Sequence, residues 1–388
     1  MIKHIFTLIW NKRRKNFLLF LEIFLAFAVL FAVFTFAIQN LRVYQSPLGF
    51  DTENIWVAYT SYDEKLDSAA LYDLQMRIEQ ELEEKPEIES VAFMGSVTPF
   101  SGSMWRTSND DNGFELGTYM ILADRDYWQT SGINLTKGRW FQEGDRNAKY
   151  TPVVITEQLR EEEFGGKEVL DSVYVISGEN KIVGYVDHYK YLGEFEKEVG
   201  LTFFYKERGS RELSNIVMKV KPGTTAAFEE EVNQTIADLI KRNDFIIQNL
   251  DSERINNSRP RWIPLVASLS ICGFLIINVA LGLFGVLWYT ISKRKAEIGL
   301  RRTVGATKNR ITEQFVGEVF MVAGLAIFLG LFFAIQLPLM NVFDVADSNY
   351  YWSMIFTSLL IISVVLLCAF YPSRQAANIH PALALHEE

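Results

Sequence analysis

The sequence predicts an α-helical membrane protein with four transmembrane helices, plus an α+β extracytoplasmic domain inserted between the first and second of them. Three observations carry that prediction. Four apolar stretches, at residues 17–40, 264–291, 314–336 and 352–371, each approach the ~20 residues that a bilayer crossing needs. The long segment 41–263 holds no further apolar stretch of that kind, yet it alternates strand-like and helix-like patterns. The loop 292–313 is crowded with Lys and Arg, as a cytoplasmic loop between two spans should be.

Composition narrows the function classes. The formal net charge is −9, so nothing supports nucleic-acid binding. Both cysteines, Cys272 and Cys368, fall inside apolar stretches, which excludes a disulfide framework in the water-soluble part. The four histidines are dispersed and no H-x-x-x-H or C-x-x-C pair exists, so no zinc site is expected. Glu161-Glu162-Glu163 and Asp110-Asp111 lack a third ligand at loop spacing and read as solvated acidic faces. No nucleophile motif is present, so no catalytic residue is assigned.

The chain opens with Ile2, Ile5, Phe6, Ile9 and Trp10 at helical spacing beside Lys3 and the run Lys12–Lys15. That pattern predicts an amphipathic helix over 1–16, lying in the inner leaflet ahead of a basic stop. The first span, 17–40, is too long for a signal-peptide core and lacks a cleavage site. Glu22 sits near its start, where it can snorkel or pair with the Arg13–Lys15 cluster.

Within 41–263, Leu66–Lys85 reads as a helix with Leu71, Leu74, Ile78 and Leu82 on one face. Ile88–Met94 reads as a strand, and Phe100–Asn112, rich in Ser, Asp, Asn and Gly, as a loop. Short strands follow at Met120–Leu122, Val153–Thr156, Ser172–Ile176, Lys181–Val186 and Leu201–Tyr205, with a helix at Glu157–Phe164. Ile216–Val220 is a strand, Thr224–Arg242 a helix capped by Thr224, and Phe245–Asn249 a last strand. The order suggests two subdomains: one discontinuous, near 50–117 and 215–250, and a mostly β insert near 118–213.

The second span is 264–291. In the third, Ala326, Gly330 and Ala334 recur every fourth residue and form a small-residue stripe for close helix packing. The outer loop 337–351 has no Lys or Arg, Tyr350–Trp352 form an aromatic belt for the fourth span, and Pro372 ends it ahead of a cytoplasmic tail, 372–388.

Between the second and third spans runs Lys293-Arg294-Lys295-Ala296-Glu297-Ile298-Gly299-Leu300-Arg301-Arg302-Thr303-Val304-Gly305-Ala306. It reads as a short amphipathic helix at the membrane face, with Gly305 just past its end and Thr307 capping the next helix. The order E-I-G-x-R…x-G-A resembles the signature between the second and third spans of MacB/FtsX-type (type VII) ABC transporter permeases. Tyr371-Pro372-Ser373-Arg374-Gln375-Ala376-Ala377, continuing to Pro381-Ala382-Leu383-Ala384-Leu385, is similar to that family's closing run. Asp126-Tyr127-Trp128…Gly132-Ile133…Leu135…Gly138-Arg139-Trp140-Phe141…Asp145 resembles a run in the periplasmic domain of MacB-like permeases, and Val154-Ile155-Thr156, Phe164-Gly165 and Ile182–Val186 continue it.

The resemblance implies a permease subunit in a bacterial inner membrane, multi-pass, with both termini cytoplasmic and the large domain periplasmic or extracellular. It implies that Glu297, Ile298, Gly299, Arg301, Arg302, Val304, Gly305 and Ala306 form the coupling helix on which a cytoplasmic ABC ATPase docks. No G-x-x-x-x-G-K-[ST] phosphate cradle exists, and Gly165-Gly166-Lys167-Glu168 lacks both the first Gly and the hydroxyl. The chain is therefore read as no enzyme: it has no cofactor of its own, and ATP and Mg sit on the partner ATPase. The implied partners are that ATPase, a second permease copy or paralogue forming a dimer, membrane lipid, and a periplasmic adaptor or outer-membrane component. The implied mechanism is mechanotransmission, in which ATPase closure is relayed to the periplasmic domain to export or extract a substrate. Two alternatives stay open: an FtsX-like regulator that activates a periplasmic enzyme without transport, and a membrane-anchored receptor.

Overall fold

In the computed structural model, residues 13–109, 116–340, 343 and 345–377 are described. The amphipathic helix expected at the start falls almost wholly outside them, as do Asp110, Asp111 and the end of the tail. The chain forms two units, residues 43–261 and residues 1–42 with 262–388.

The first unit follows helix α1 (Arg13–Gln45) and begins with β1 (Ile55–Tyr59), α2 (Ser68–Glu83), β2 (Ile88–Met94), β3 (Arg106–Asn109) and β4 (Leu116–Ala123). Then come α3 (Tyr127–Thr130), β5 (Leu135–Gly138), β6 (Thr151–Thr156), α4 (Glu157–Phe164), β7 (Val173–Val175), β8 (Glu179–Val186) and β9 (Leu201–Tyr205). It closes with β10 (Asn215–Val220), α5 (Ala226–Ile240) and β11 (Ile246–Asn249). One sheet runs through the unit in the order β11-β1-β10-β2-β4-β9-β6-β8-β5, with β3 on β4 and β7 on β8.

Side chains alternate across that sheet. Trp56, Ala58, Phe93, Ile216 and Met218 pack on one face beneath α2 and α5, which contribute Leu71, Leu74, Ile78, Val232 and Ile236. Ile55, Val57, Ala92, Met94 and Val217 face the other way, into a core with Tyr127, Trp140, Phe141, Tyr189 and Phe203. Both faces are covered, which is why β1 reads as an unbroken apolar run rather than an alternating one.

The two subdomains expected from sequence share this sheet. Their joint is narrow: β2 and β4 have the single register pair Met94↔Ala123. Polar groups reinforce it. The Phe93 N–H donates to Asp124 Oδ2 at 3.1 Å and the Asp126 N–H to Asp124 Oδ1 at 3.1 Å. Arg208, 8% exposed, reaches Asp124 at 3.3 Å, Asp126 at 2.6 Å and Glu79 of α2.

Several expectations are corrected. Residues 100–112 are not all loop: β3 pairs antiparallel with β4, and backbone pairing overrides the local turn composition. β5, a strand the sequence reading omits, pairs with β8 although three of its four residues are exposed, so burial left no alternation to read. Helix α5 is capped at Thr225 rather than Thr224, and the Thr224 hydroxyl donates to the Lys221 carbonyl instead. Asp67 Oδ1 caps α2 by accepting from the Ala70 N–H at 2.8 Å.

Helix α6 (Leu250–Lys293) starts in the first unit and belongs to the second from residue 262 on; the second unit also contains α7 (Lys295–Thr303), α8 (Lys308–Ala334), α9 (Gln336–Met340) and α10 (Asp347–Ala377), together with most of α1. Among the described residues, four helices are long and apolar enough to cross a membrane. Helix α6 begins well before the apolar stretch at Pro264. Asn249 Oδ1 accepts from the Asp251 and Ser252 N–H groups, and Asp251 and Glu253 complement the helix start. Its first turns are held by polar contacts: Tyr59 donates to Glu253 at 2.7 Å, Ser258 to Glu194 at 2.7 Å, and Arg254 pairs with Glu194 at 3.3 Å. Pro372 does not end the fourth span either. It lies inside α10, which continues to Ala377. A proline in a membrane helix costs one backbone hydrogen bond, which neighbouring turns can absorb.

Candidate coupling helix

The basic loop folds into α7, nine residues between α6 and α8. Arg294 breaks the long helix at φ −108° and ψ 13°. Its guanidinium is inside the fold: Nη1 donates to both Glu318 oxygens at 3.1 Å and the group stacks 5.7 Å from the Phe315 ring centroid. Ile298 is 3% exposed and packs with Ile291, Ile311 and Phe315, while Ala306 is packed against the same cluster. Gly299 is buried. Arg301 donates to Glu297 at 2.6 Å, one turn away, and to Gln314 of α8. The Val304 N–H closes on the Leu300 carbonyl at 3.1 Å, Gly305 takes φ +99°, and Thr307 Oγ1 accepts from the Arg310 N–H at 3.4 Å to start α8.

The expected residues thus divide by job. Ile298, Gly299 and Ala306 anchor α7 to the helices beneath it. Glu297, Val304 and Gly305 are exposed, and Arg301 and Arg302 are half-buried. One residue of the motif was not singled out from sequence: Leu300, 57% exposed, lies one turn before Val304, 81% exposed. The two form an exposed i,i+4 aliphatic pair beside charged neighbours. The apolar period could have found it, but Ile298 two residues earlier belongs to the opposite side and blurs the pattern.

In the span helices Ala326 and Ala334 are nearly inaccessible, and Gly330 is buried with them. A Cβ on Gly330 would fall 2.4 Å from the Phe27 ring of α1, so the missing side chain is what lets the two helices close. Glu22 packs similarly against Gly282 of α6, where a Cβ would meet its Oε1 at 2.4 Å.

The motif in the inserted domain is spent on folding. Tyr127 and Tyr189 share a buried hydroxyl hydrogen bond of 2.5 Å. Arg139 grips Asp145 with two hydrogen bonds of 2.7 Å. Burial pushes the Asp145 carboxyl up, but Arg139 and the Gln142 N–H outweigh it, and its pKa lies below the usual value. Gly138 takes φ +77° where a Cβ would strike the Val183 carbonyl at 2.3 Å. Trp140 and Phe141 fill the core.

Residues 17–235 match the model of the MacB-like periplasmic core domain, and residues 269–381 that of the FtsX-like permease C-terminal region. The chain belongs to the MacB/FtsX family of permeases. Four apolar helices and a MacB-like periplasmic domain make this permease an inner-membrane protein with a periplasmic domain. The MacB export ATP-binding/permease protein of Pseudomonas entomophila is 26% identical over 77% of this chain and 46% of its own length. The macrolide export ATP-binding/permease protein MacB 2 of Aeromonas hydrophila is 24% identical over 69% of this chain and 43% of its own. This permease spans about half the length of the curated relatives it matches. The crystal structure of the periplasmic region of MacB from Actinobacillus actinomycetemcomitans aligns with 54% of the chain and 95% of that region, at 14% identity and a TM-score of 0.37.

Proposed function

We propose that this chain is the permease part of an ATP-driven exporter, in which an ATPase engages α7 from the cytoplasm and its closure is relayed to the periplasmic domain. The observation that carries the reading is the build of α7. One side is locked to α6 and α8 by Ile298, Arg294 and Arg301, and the other presents Leu300 and Val304 to solvent. A helix fixed beneath and apolar above transmits a push instead of absorbing it. Helix α6 supports the relay, because it is unbroken from Leu250 to Lys293 and its first turns are pinned by Glu253, Arg254 and Ser258.

Relatives named as export proteins combine ATP-binding and permease functions, and residues 1–388 carry no phosphate-binding loop. In this reading ATP and Mg sit on an ATPase outside residues 1–388. The positive-inside rule puts α7 and both termini in the cytoplasm. A second permease completes a dimer, and a periplasmic adaptor or outer-membrane component would complete the export route for a substrate taken from the periplasm or outer leaflet.

The test is purification of the chain from its native membrane in mild detergent, with identification of what accompanies it. An ATPase that co-purifies with the wild type but not with Glu297→Lys or Arg301→Glu supports the reading. Normal assembly in both variants refutes the docking role of α7. An ATPase whose turnover responds to no exported substrate, but activates a periplasmic enzyme, would replace export with regulation.

A further inference from the structure

The membrane unit contains a groove that the coupling scheme does not use. It has a volume of about 630 Å³, within the range of ligand sites, and is lined by Phe24, Phe27, Phe31 and Phe36 of α1, Phe333 of α8 and Tyr350 of α10, among others. The exposed small residues Ala28 and Ala32 of α1 leave it open, and Gly330 and Ala334 of α8, packed against α1, form part of its wall. Along α1 the lining runs from Phe24 to Gln39, roughly 22 Å at 1.5 Å per residue, enough to traverse one leaflet of a ~30 Å hydrocarbon core. Gln39 stands at the end of the span that leads into the periplasmic domain, so the groove starts in the periplasmic leaflet and runs past the bilayer midplane.

That end is polar and incompletely satisfied. Asn349 Nδ2 donates to Gln39, and exposed Arg42 donates to Ser348 Oγ at 2.6 Å. Asn349 and Tyr350 are 0% and 2% exposed, yet Asn349 Oδ1 and the Tyr350 hydroxyl have no partner among the described residues. A buried polar atom without a partner costs about 1–3 kcal/mol, so a ligand that supplies the partner is favoured there.

We propose that the groove binds one molecule of an anionic glycerophospholipid, of the phosphatidylglycerol type. An acyl chain fills the aromatic channel, whose lining is mostly apolar. The phosphate meets Arg42, a charge-assisted contact that zwitterionic choline lipids offer less favourably because their ammonium repels the guanidinium. The Tyr350 hydroxyl, on a residue that lines the groove, donates to an ester carbonyl. The inference needs α1, α8 and α10 to lie in a bilayer and is independent of the coupling proposal.

The test uses the full chain in vesicles containing phosphatidylglycerol with a diazirine in its acyl chain, and adducts mapped by peptide mass spectrometry. Adducts should concentrate on residues 24–39 and 333–350. Ala32→Trp fills the channel and should remove them, leaving those at exposed Leu359 and Leu367 unchanged. Arg42→Gln should cut the preference for phosphatidylglycerol over phosphatidylcholine about tenfold, the equivalent of one charge-assisted hydrogen bond. Labelling spread evenly over Leu359, Leu367 and the groove means only annular lipid and overturns the site. Absence of a headgroup preference in the wild type overturns the assignment of Arg42. Efficient disulfide cross-linking of two Ala32→Cys copies, in a background without Cys272 and Cys368, shows a second copy covering the groove and also overturns it.

Discussion

Replacing Arg208 with Met tests how the periplasmic domain holds its two parts together. Met keeps an apolar stem over the Phe93 ring, which the guanidinium now faces at 5.2 Å, and removes the charge that joins Glu79, Asp124 and Asp126. The Asp124 side chain is 2% exposed, so solvent cannot replace the lost partner. Breaking a buried pair from one side costs about 3–5 kcal/mol. The damage falls where the sheet is narrowest, at Met94↔Ala123. Burial pushes Asp124 up to about 7, against the pull of Arg208 and of the Phe93 and Asp126 N–H groups. The cost is therefore largest near pH 8, where the carboxylate is charged, and shrinks near pH 5. Hydrogen exchange in the full chain in detergent should show β2 and β4 amides opening about a hundred- to several-thousand-fold faster at pH 8. Adding Asp124→Asn removes the abandoned charge and should recover about 1–3 kcal/mol, the coupling expected of residues in one network. Equal costs at both pH values, or single-variant costs that simply add, would refute the argument.

Other outcomes follow from the same geometry. Leu300→Asp and Val304→Asp should weaken ATPase association roughly tenfold or more, since each removes up to about 1.5–3 kcal/mol of aliphatic burial, while leaving the melting temperature of the permease unchanged. Ile298→Asp should lower that melting temperature, because the side chain is buried against Ile311 and Phe315. Gly330→Leu should destabilise the packing of α8 on α1, and Phe27→Ala in the same chain should restore part of the loss, as read by thermal unfolding in detergent. In the wild-type domain, Asp124 retains a proton between its ordinary 3.8 and about 7 that the unfolded chain has already released. Its contribution therefore makes stability fall as pH rises through that window, and Asp124→Asn should flatten the slope in denaturant titrations.

Much of the fold was legible because it repeats at a fixed period. The i, i+3, i+7 spacing of Leu71, Leu74 and Ile78 marks α2, and the strand at Ile88–Met94 forms over those residues. What escaped did so for identifiable reasons. Strands β3 and β5 are short and largely exposed, so their pairing partners decide them. The start of α6 is polar, and hydropathy recognises only its membrane part. Pro372 signals a helix end that the surrounding membrane helix overrides.

The candidate site was legible as a motif but not as a surface. The sequence placed a short basic helix at 293–306 and its flanking caps at Gly305 and Thr307, because local backbone chemistry settles those features. It could not separate the anchored side of the helix from the exposed one. That division depends on which residues α8 covers, and burial of Ile298 with exposure of Leu300 arises only when distant helices pack.

By itself the sequence determined the four apolar spans, the inserted α+β domain and the family signatures, since hydrophobic periodicity, charge asymmetry and turn chemistry are local properties of the chain. Only the tertiary structure decided that the domain's two parts share one sheet through a single residue pair, that Arg208 braces it, and that an aromatic groove with unpartnered polar atoms opens beside Phe27 and Tyr350. Those features join residues far apart in sequence, and the energies that join them, burial and charge pairing, depend on distance in space.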